Sequence, residues 1–352
     1  MKNILMEDLE IISKETGMKV LGGKTILITG ATGLIGSLFV KAISVYNQNN
    51  SEKIRVVGQA RNPEKLQRVF GDLSKDKNII WLISDLIDLA EIEYDIDYII
   101  HTASVTASKL FVTRPVETIE TTYQGTKNIL EIARQKRCKS MVYLSSMEMY
   151  GVPDSTLDRV REDDLGYIDL MNVRSSYSEG KRIAECLCVS YCEEYNVPVK
   201  IARLAQTFGA GISEEDNRVY AQFARSAIMK KDIVLHTEGK SYGNYCYTSD
   251  AIKALLLLLL NGENGQAYNV SNEENTAMIV DMAKMVAERF GEGKVKVCFD
   301  IPEDKKMHGY APDVKMKLSS EKIRKLGWKA KYSLPQMYER MIEGIMWEKK
   351  NG

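Results

Sequence analysis

The stretch Lys24-Thr-Ile-Leu-Ile-Thr-Gly30-Ala-Thr-Gly33-Leu-Ile-Gly36 constrains the fold more than any other part of the chain. Strand-forming residues, Thr25 to Thr29, run into three glycines, and a helical apolar pattern (Leu38, Phe39, Ala42, Ile43) opens directly after them. Each glycine has a physical task in such a unit. Gly30 permits the tight turn at the strand end, Gly33 lets a pyrophosphate approach the backbone, and Gly36 lets helix and strand pack closely. The free N–H groups of the helix start, around Thr32, Leu34 and Ile35, then face an anion that the helix dipole also favours. The stretch therefore predicts a dinucleotide site.

Strand and helix continue to alternate. Residues 53–60 read as a second strand, 79–83 as a third, 98–101 as a fourth and 141–144 as a fifth, with a helix over about 115–137. This order predicts an α/β fold of Rossmann type, a doubly wound parallel sheet with ligands at the carboxyl ends of its strands. Many NAD sites carry an acid at the end of the second strand. Here the chain reads Gln59-Ala60-Arg61, and Arg61 is suited to a 2′-phosphate, which favours NADP over NAD. After the third strand, Asp85, followed by Leu86, either accepts from the adenine amino group or caps the next turn. After the fourth, Thr102, Ala103 and Ser104 are small enough to let a cofactor lie close.

The bulk properties exclude several classes. Lys+Arg and Asp+Glu balance at 48 each, so no net field draws the chain to nucleic acid or an anionic membrane. The apolar run 254–260 is too short to span a bilayer and reads as a buried helix. The six cysteines form no CxxC pair and histidines number three, so neither a disulfide framework nor a metal site is expected. The N-terminus reads as an amphipathic helix rather than a signal peptide, and the expected location is the cytoplasm.

The catalytic candidates lie at the fifth strand and beyond. Ser146 stands at that strand's carboxyl end, and Tyr177-Ser-Glu-Gly-Lys181 opens a helix running to about Tyr195. Residues four apart share a helix face, so the Lys181 ammonium is placed near the Tyr177 phenol. Such a cation is expected to lower the phenol pKa from about 10 towards neutrality. Tyr177 then takes a proton from a substrate hydroxyl as hydride leaves the same carbon, and Ser146 holds that oxygen. Lys181 is also placed to hold the nicotinamide ribose.

Together these residues resemble the extended short-chain dehydrogenase/reductases, the NAD-dependent epimerase/dehydratase group. The resemblance covers nearly the whole chain from Lys24: TGATGLIG (29–36), the strand-end Asp85, HTAS (101–104), GTKNILE (125–131), YLSSMEMYG (143–151), YSEGK (177–181), ARLAQTFGAG (202–211), YTSD (247–250), AYNVSN (267–272) and KLGW (325–328). It implies a catalytic Ser146–Tyr177–Lys181 set and a nucleotide-sugar substrate. It also implies a homodimer through the helices near 115–137 and 177–195. The domain plan is an N-terminal helical extension (1–22) and a dinucleotide-binding domain (23–206, with a later strand and helix from about 245–272). A smaller mixed substrate lobe takes 207–244 and 273–352.

Within the group, the Ser-Met-Glu-Met-Tyr-Gly stretch is most similar to UDP-glucuronate decarboxylases and 4,6-dehydratases. Glu148 matches their glutamate, to serve as a base near the sugar C5 or simply to bond backbone at the strand end. The dehydratase aspartate is Met147 here; a thioether donates no proton, which disfavours 4,6-dehydration. The family's nucleotide-contacting asparagine is Gln206. Its two diphosphate arginines align with Gly243 and Tyr310, leaving Arg218, Arg225 or Lys240 as substitutes. The expected function is transient oxidation of a nucleotide-linked sugar followed by epimerisation, elimination or decarboxylation. The rivals are a net NADPH-dependent carbonyl reductase and a dinucleotide-sensing protein without chemistry.

Overall fold

The structure, a computed structural model, describes residues 2–89, 91–302 and 314–351. Among them the strands are β1 (Thr25–Thr29), β2 (Arg55–Ala60), β3 (Ile79–Ile83), β4 (Tyr98–His101), β5 (Ser140–Ser146), β6 (Val199–Leu204), β7 (Gln206–Phe208), β8 (Ile233–Leu235), β9 (Tyr242–Tyr247), β10 (Ala267–Val270), β11 (Asn272–Met278) and β12 (Val297–Phe299). The helices are α1 (Ile4–Ser13), α2 (Thr16–Val20), α3 (Leu34–Asn49), α4 (Pro63–Phe70), α5 (Ser108–Thr113), α6 (Pro115–Gln135), α7 (Ser175–Tyr195), α8 (Val219–Met229), α9 (Thr248–Asn261), α10 (Ile279–Phe290), α11 (Glu321–Lys325) and α12 (Leu334–Asn351).

Seven strands form one parallel sheet in the order β10-β6-β5-β4-β1-β2-β3. Its strands read as apolar runs because both faces are covered. In β1, Ile26 and Ile28 enter one core with Val56, Ile100 and Val142, while Leu27 enters the opposite core with Val57, Ile99 and Met141. Each such buried side chain contributes about 1.5–3 kcal/mol. The strand order reverses between β1 and β4, the switch point at which sheets of this kind hold a ligand crevice outside the carboxyl ends. The later helix is α9, packed in the first core, and the later strand is β10, the edge of the large sheet; β9 belongs to a second sheet.

That second sheet has the order β11-β9-β7, and β12 and β8 pair beside it. Its core is aromatic. Phe208 stacks on Tyr220 with ring centroids 4.5 Å apart, and Tyr338 of α12 lies 5.1 Å from Phe208. Among the described residues no helix is long and apolar enough to cross a membrane.

The single N-terminal helix expected from the sequence is two helices. Glu15 turns extended as the cap of α2, and its carboxylate pairs with Lys253 at 2.9 Å. Helix α1 packs on α3, α9 and α12. Its Asp8, only 3% exposed, accepts from Tyr247 Oη at 2.5 Å and from Arg340 Nη2 at 2.7 Å. A buried carboxylate needs such partners, since burial alone raises its pKa. The contact ties the first helix of the chain to the last.

Arg340→Met removes the guanidinium and leaves the Asp8 carboxylate buried against one phenol. Breaking a buried pair in this way is expected to cost about 3 kcal/mol, read as a lowered midpoint in denaturant unfolding. A midpoint unchanged from wild type would mean that the pair behaves as a surface contact.

Candidate active site

The glycine turn forms because its geometry admits no side chain. Gly30 has φ +61°, and a Cβ there would lie 2.7 Å from Ala103 Cα. A Cβ on Gly36 would lie 2.5 Å from the Gly30 carbonyl oxygen. Helix α3 starts at Leu34 with Gly33 as its cap, so the first-turn amides of Leu34, Ile35 and Gly36 lack partners within the helix. Thr32 lies in the turn between them. This cradle of small residues and free amides fits a dinucleotide pyrophosphate.

Gln59, to which the sequence assigns no role, holds the turn in place. Its Oε1 accepts from Gly30 N at 3.0 Å and its Nε2 donates to Ser84 O at 2.7 Å. Its signal is its position at the end of β2, where many NAD sites carry an acid and this chain carries an amide. Arg61 Nη1 lies 3.4 Å from Asp85 Oδ2. Asp85 also accepts from Ile87 N at 3.1 Å, so it does cap the turn, while Leu86 is buried against Gly125. Thr102 Oγ1 donates to Thr29 O at 2.6 Å, which brings β4 against the glycine turn at the crevice, and Ala103 and Ser104 follow. His101 points inward instead. It bonds Thr29 Oγ1 at 2.7 Å and Thr126 Oγ1 at 3.1 Å, and burial pushes its pKa down to about 3, so it is neutral.

The catalytic candidates converge one strand away. Ser146 ends β5, and a 3₁₀ turn from Met147 to Tyr150 follows, with Glu148 N donating to Ser146 Oγ at 3.2 Å. Helix α7 packs on this turn and brings Tyr177 and Lys181 beside it. Ser146 and Glu148 both lie close enough to the Tyr177 phenol to act on its pKa. The Tyr177 ring stacks on Phe111 at 4.3 Å. Met147 packs against the small apolar cluster that contains Met149 and Tyr150, offering no acid.

The expected lowering of the Tyr177 pKa is not found. Burial raises it above the ordinary phenol value, Glu148 pushes the same way, and Ser146 and Arg218 pull it back. The Lys181 ammonium is spent elsewhere: Nζ donates to Leu144 O at 2.7 Å and sits 5.8 Å from the Tyr177 ring centre. Burial brings the pKa of Lys181 itself down to about 8. Glu148 is crowded by protein yet keeps 29% of its side chain open to the cleft; burial raises its pKa and Arg174 offsets part of that rise.

The substrate candidates divide. Arg218 caps α8, forks onto Asp216 and lies 5.0 Å over the Tyr220 ring, near enough to act on Tyr177. Gln206 opens β7 beside Tyr245 of β9. Gly243 lies within β9, Arg225 Nη1 donates to Glu214 O at 3.4 Å, and Lys240 pairs with Glu238. Tyr310 lies outside the described residues. Two further residues were given no role from the sequence, although Arg182 directly follows Lys181 in the Tyr177 stretch. Arg174 reaches Glu148, and Arg182 donates to the carbonyls of Met149, Tyr150 and Gly166 at 2.7–3.2 Å, pinning the turn that carries Glu148.

Known proteins are similar to this chain along most of its length. Residues 26–271 match the family described as NAD dependent epimerase/dehydratase. The chain is similar to UDP-glucuronic acid decarboxylase 6 of Arabidopsis thaliana, 27% identical over 325 residues that cover 90% of this chain and 88% of the relative. An epimerase from Methanothermobacter thermautotrophicus superposes with a TM-score of 0.79 at 19% identity, covering 99% of this chain and 98% of that one. UDP-glucuronic acid 4-epimerase from Bacillus cereus, solved with UDP-glucuronic acid and NAD, gives 0.75 at 21% identity over 92% of this chain and 99% of that one. At such identities the solved structures speak to the fold.

Gly36→Ala tests the cradle. The new methyl meets the Gly30 carbonyl, so α3 is forced away from β1 at an expected cost of about 1–3 kcal/mol in stability, with weaker dinucleotide binding in calorimetry. Wild-type affinity and stability would show that the turn has room to spare.

Proposed function

The chain belongs to the NAD dependent epimerase/dehydratase family, and on that premise we propose that it oxidises a nucleotide-linked sugar transiently, then epimerises or decarboxylates it. The observation that carries the reading is the convergence of Ser146, Tyr177 and Glu148 at the end of β5, with Lys181 behind them. Bound NAD supplies a hydride acceptor and a positive ring charge that favours the phenolate. Tyr177 accepts the hydroxyl proton, and Ser146 donates to the same oxygen as it becomes a carbonyl. Glu148, with its raised proton affinity, then removes or returns a proton at the carbon next to that carbonyl. Met147 in place of an acid argues against elimination of water, because the leaving hydroxyl finds no donor there.

For the cofactor we take NAD over NADP. Arg61 suggested a 2′-phosphate from the sequence, but Asp85 stands 3.4 Å from its guanidinium and repels a phosphate. The six cysteines are all free, in keeping with a reducing cytoplasm. A homodimer through α6 and α7 is supported by their exposed apolar residues, among them Val116, Ile119, Tyr123, Ile183 and Val189.

Tyr177→Phe separates chemistry from binding. The variant is expected to lose about 10²–10⁴-fold in turnover of a nucleotide-sugar while still releasing NAD, identified by mass, on denaturation. Retained turnover would overturn the assignment. Light scattering is expected to give the mass of two chains, and Ile183→Lys to shift it towards one; a monomeric wild type would overturn the dimer.

A further inference from the structure

Three guanidiniums near the site have their donors occupied by protein. Arg182 meets three carbonyls, Arg203 meets Glu185 and Tyr150, and Arg218 forks onto Asp216. Arg174 does not. Of its five N–H donors, among the described residues only Nη1 finds a polar partner, Glu148 Oε2, at a long 3.7 Å. A well-made guanidinium–carboxylate contact is about 2.7–2.9 Å and bidentate. The head group is nonetheless shielded, its side chain 23% exposed, so water does not replace the missing partners in full.

Its place is set by the backbone. Arg174 N donates to Asn172 Oδ1 at 3.0 Å, and the residue caps α7 three positions before Tyr177. The guanidinium carbon lies 5.9 Å from the Phe111 ring centre, and Phe111 in turn stacks on Tyr177. The backbone is anchored while the charged head keeps only its long contact with Glu148 and the Phe111 ring, beside the two groups that handle protons in the proposed reaction.

We propose that Arg174 is a specificity residue that exchanges its loose contact with Glu148 for a carboxylate on the sugar, so that the site selects a uronate over a neutral hexose. This rests on the reading that a nucleotide-linked sugar lies against Ser146 and Tyr177. A carboxylate entering the cleft brings a planar pair of acceptors that matches the guanidinium fork, which a hydroxymethyl group does not. The same carboxylate would repel Glu148 if Arg174 were absent, so one guanidinium both attracts the acid and screens it from its neighbour. A neutral hexose leaves Arg174 with Glu148 and gains nothing from it.

The test is calorimetric titration of the NAD-loaded full chain with UDP-glucuronic acid and with UDP-glucose, for wild type, Arg174→Gln and Arg174→Lys. Wild type is expected to prefer the uronate. Arg174→Gln is expected to weaken the uronate by roughly 10- to 100-fold and UDP-glucose by less than about threefold, with Arg174→Lys between. Unchanged NAD content and unfolding temperature show that the variants are folded. A wild type without preference, or a glutamine variant that weakens both sugars equally or neither, overturns the assignment of Arg174 and leaves the nucleotide-sugar reading standing. A wild type that binds neither sugar overturns that reading, and the role of Arg174 with it.

Discussion

The site depends on one buried guanidinium. Arg203 of β6 reaches Glu185 of α7 through Nε at 3.1 Å and Nη2 at 2.7 Å, and its Nη1 meets Tyr150 Oη at 2.8 Å. Tyr150 donates onward to Asn269 Oδ1 at 2.7 Å, and Asn269 N donates to Glu162 Oε1 at 2.8 Å. The pair is buried on both sides, so either partner left alone would be strongly unfavourable. The energetic benefit of such a pair over an apolar one is small; its consequence is geometric. The network locks the helix carrying Tyr177 and Lys181 to the sheet and to the turn carrying Glu148. Arg182 adds a second lock from the same helix onto the same turn.

Within that frame, burial is the dominant electrostatic force. It raises Tyr177 and Glu148, lowers Lys181 to about 8 and lowers His101 to about 3. Every group is pushed towards its neutral form, the direction that desolvation alone dictates. A cleft lined by buried groups responds strongly to any charge that enters it, because protein surroundings screen a charge less than bulk water does. The loosely partnered Arg174 and the half-open Glu148 are the places where an entering charge would be felt first.

Much of this was legible in the chain. The run from Thr25 to Gly36 specified strand, turn and helix through residue types that few other structures tolerate together. Ser146 and the Tyr177–Lys181 spacing pointed to the same strand end. The phenol's pKa was misread, because four-residue spacing places Lys181 on the face of Tyr177 but does not show that Leu144 O takes its ammonium. The partner of Arg61 was hidden for a similar reason. A cation at a strand end looks free until the neighbouring strand brings Asp85 to it.

By itself the sequence determined what local chemistry decides: apolar runs that become buried strands, glycines where no Cβ fits, and a tyrosine and lysine on one helix face. Tertiary structure alone decided which polar groups meet across long separations. Asp8 meets Arg340, Gln59 meets Gly30, and Arg174 meets Glu148, each joined by the packing of elements far apart in the chain. The physical reason is that a side chain's propensity is a property of its neighbours in sequence. Its charge state and its hydrogen-bond partners are properties of its neighbours in space, and those exist only once the core has closed.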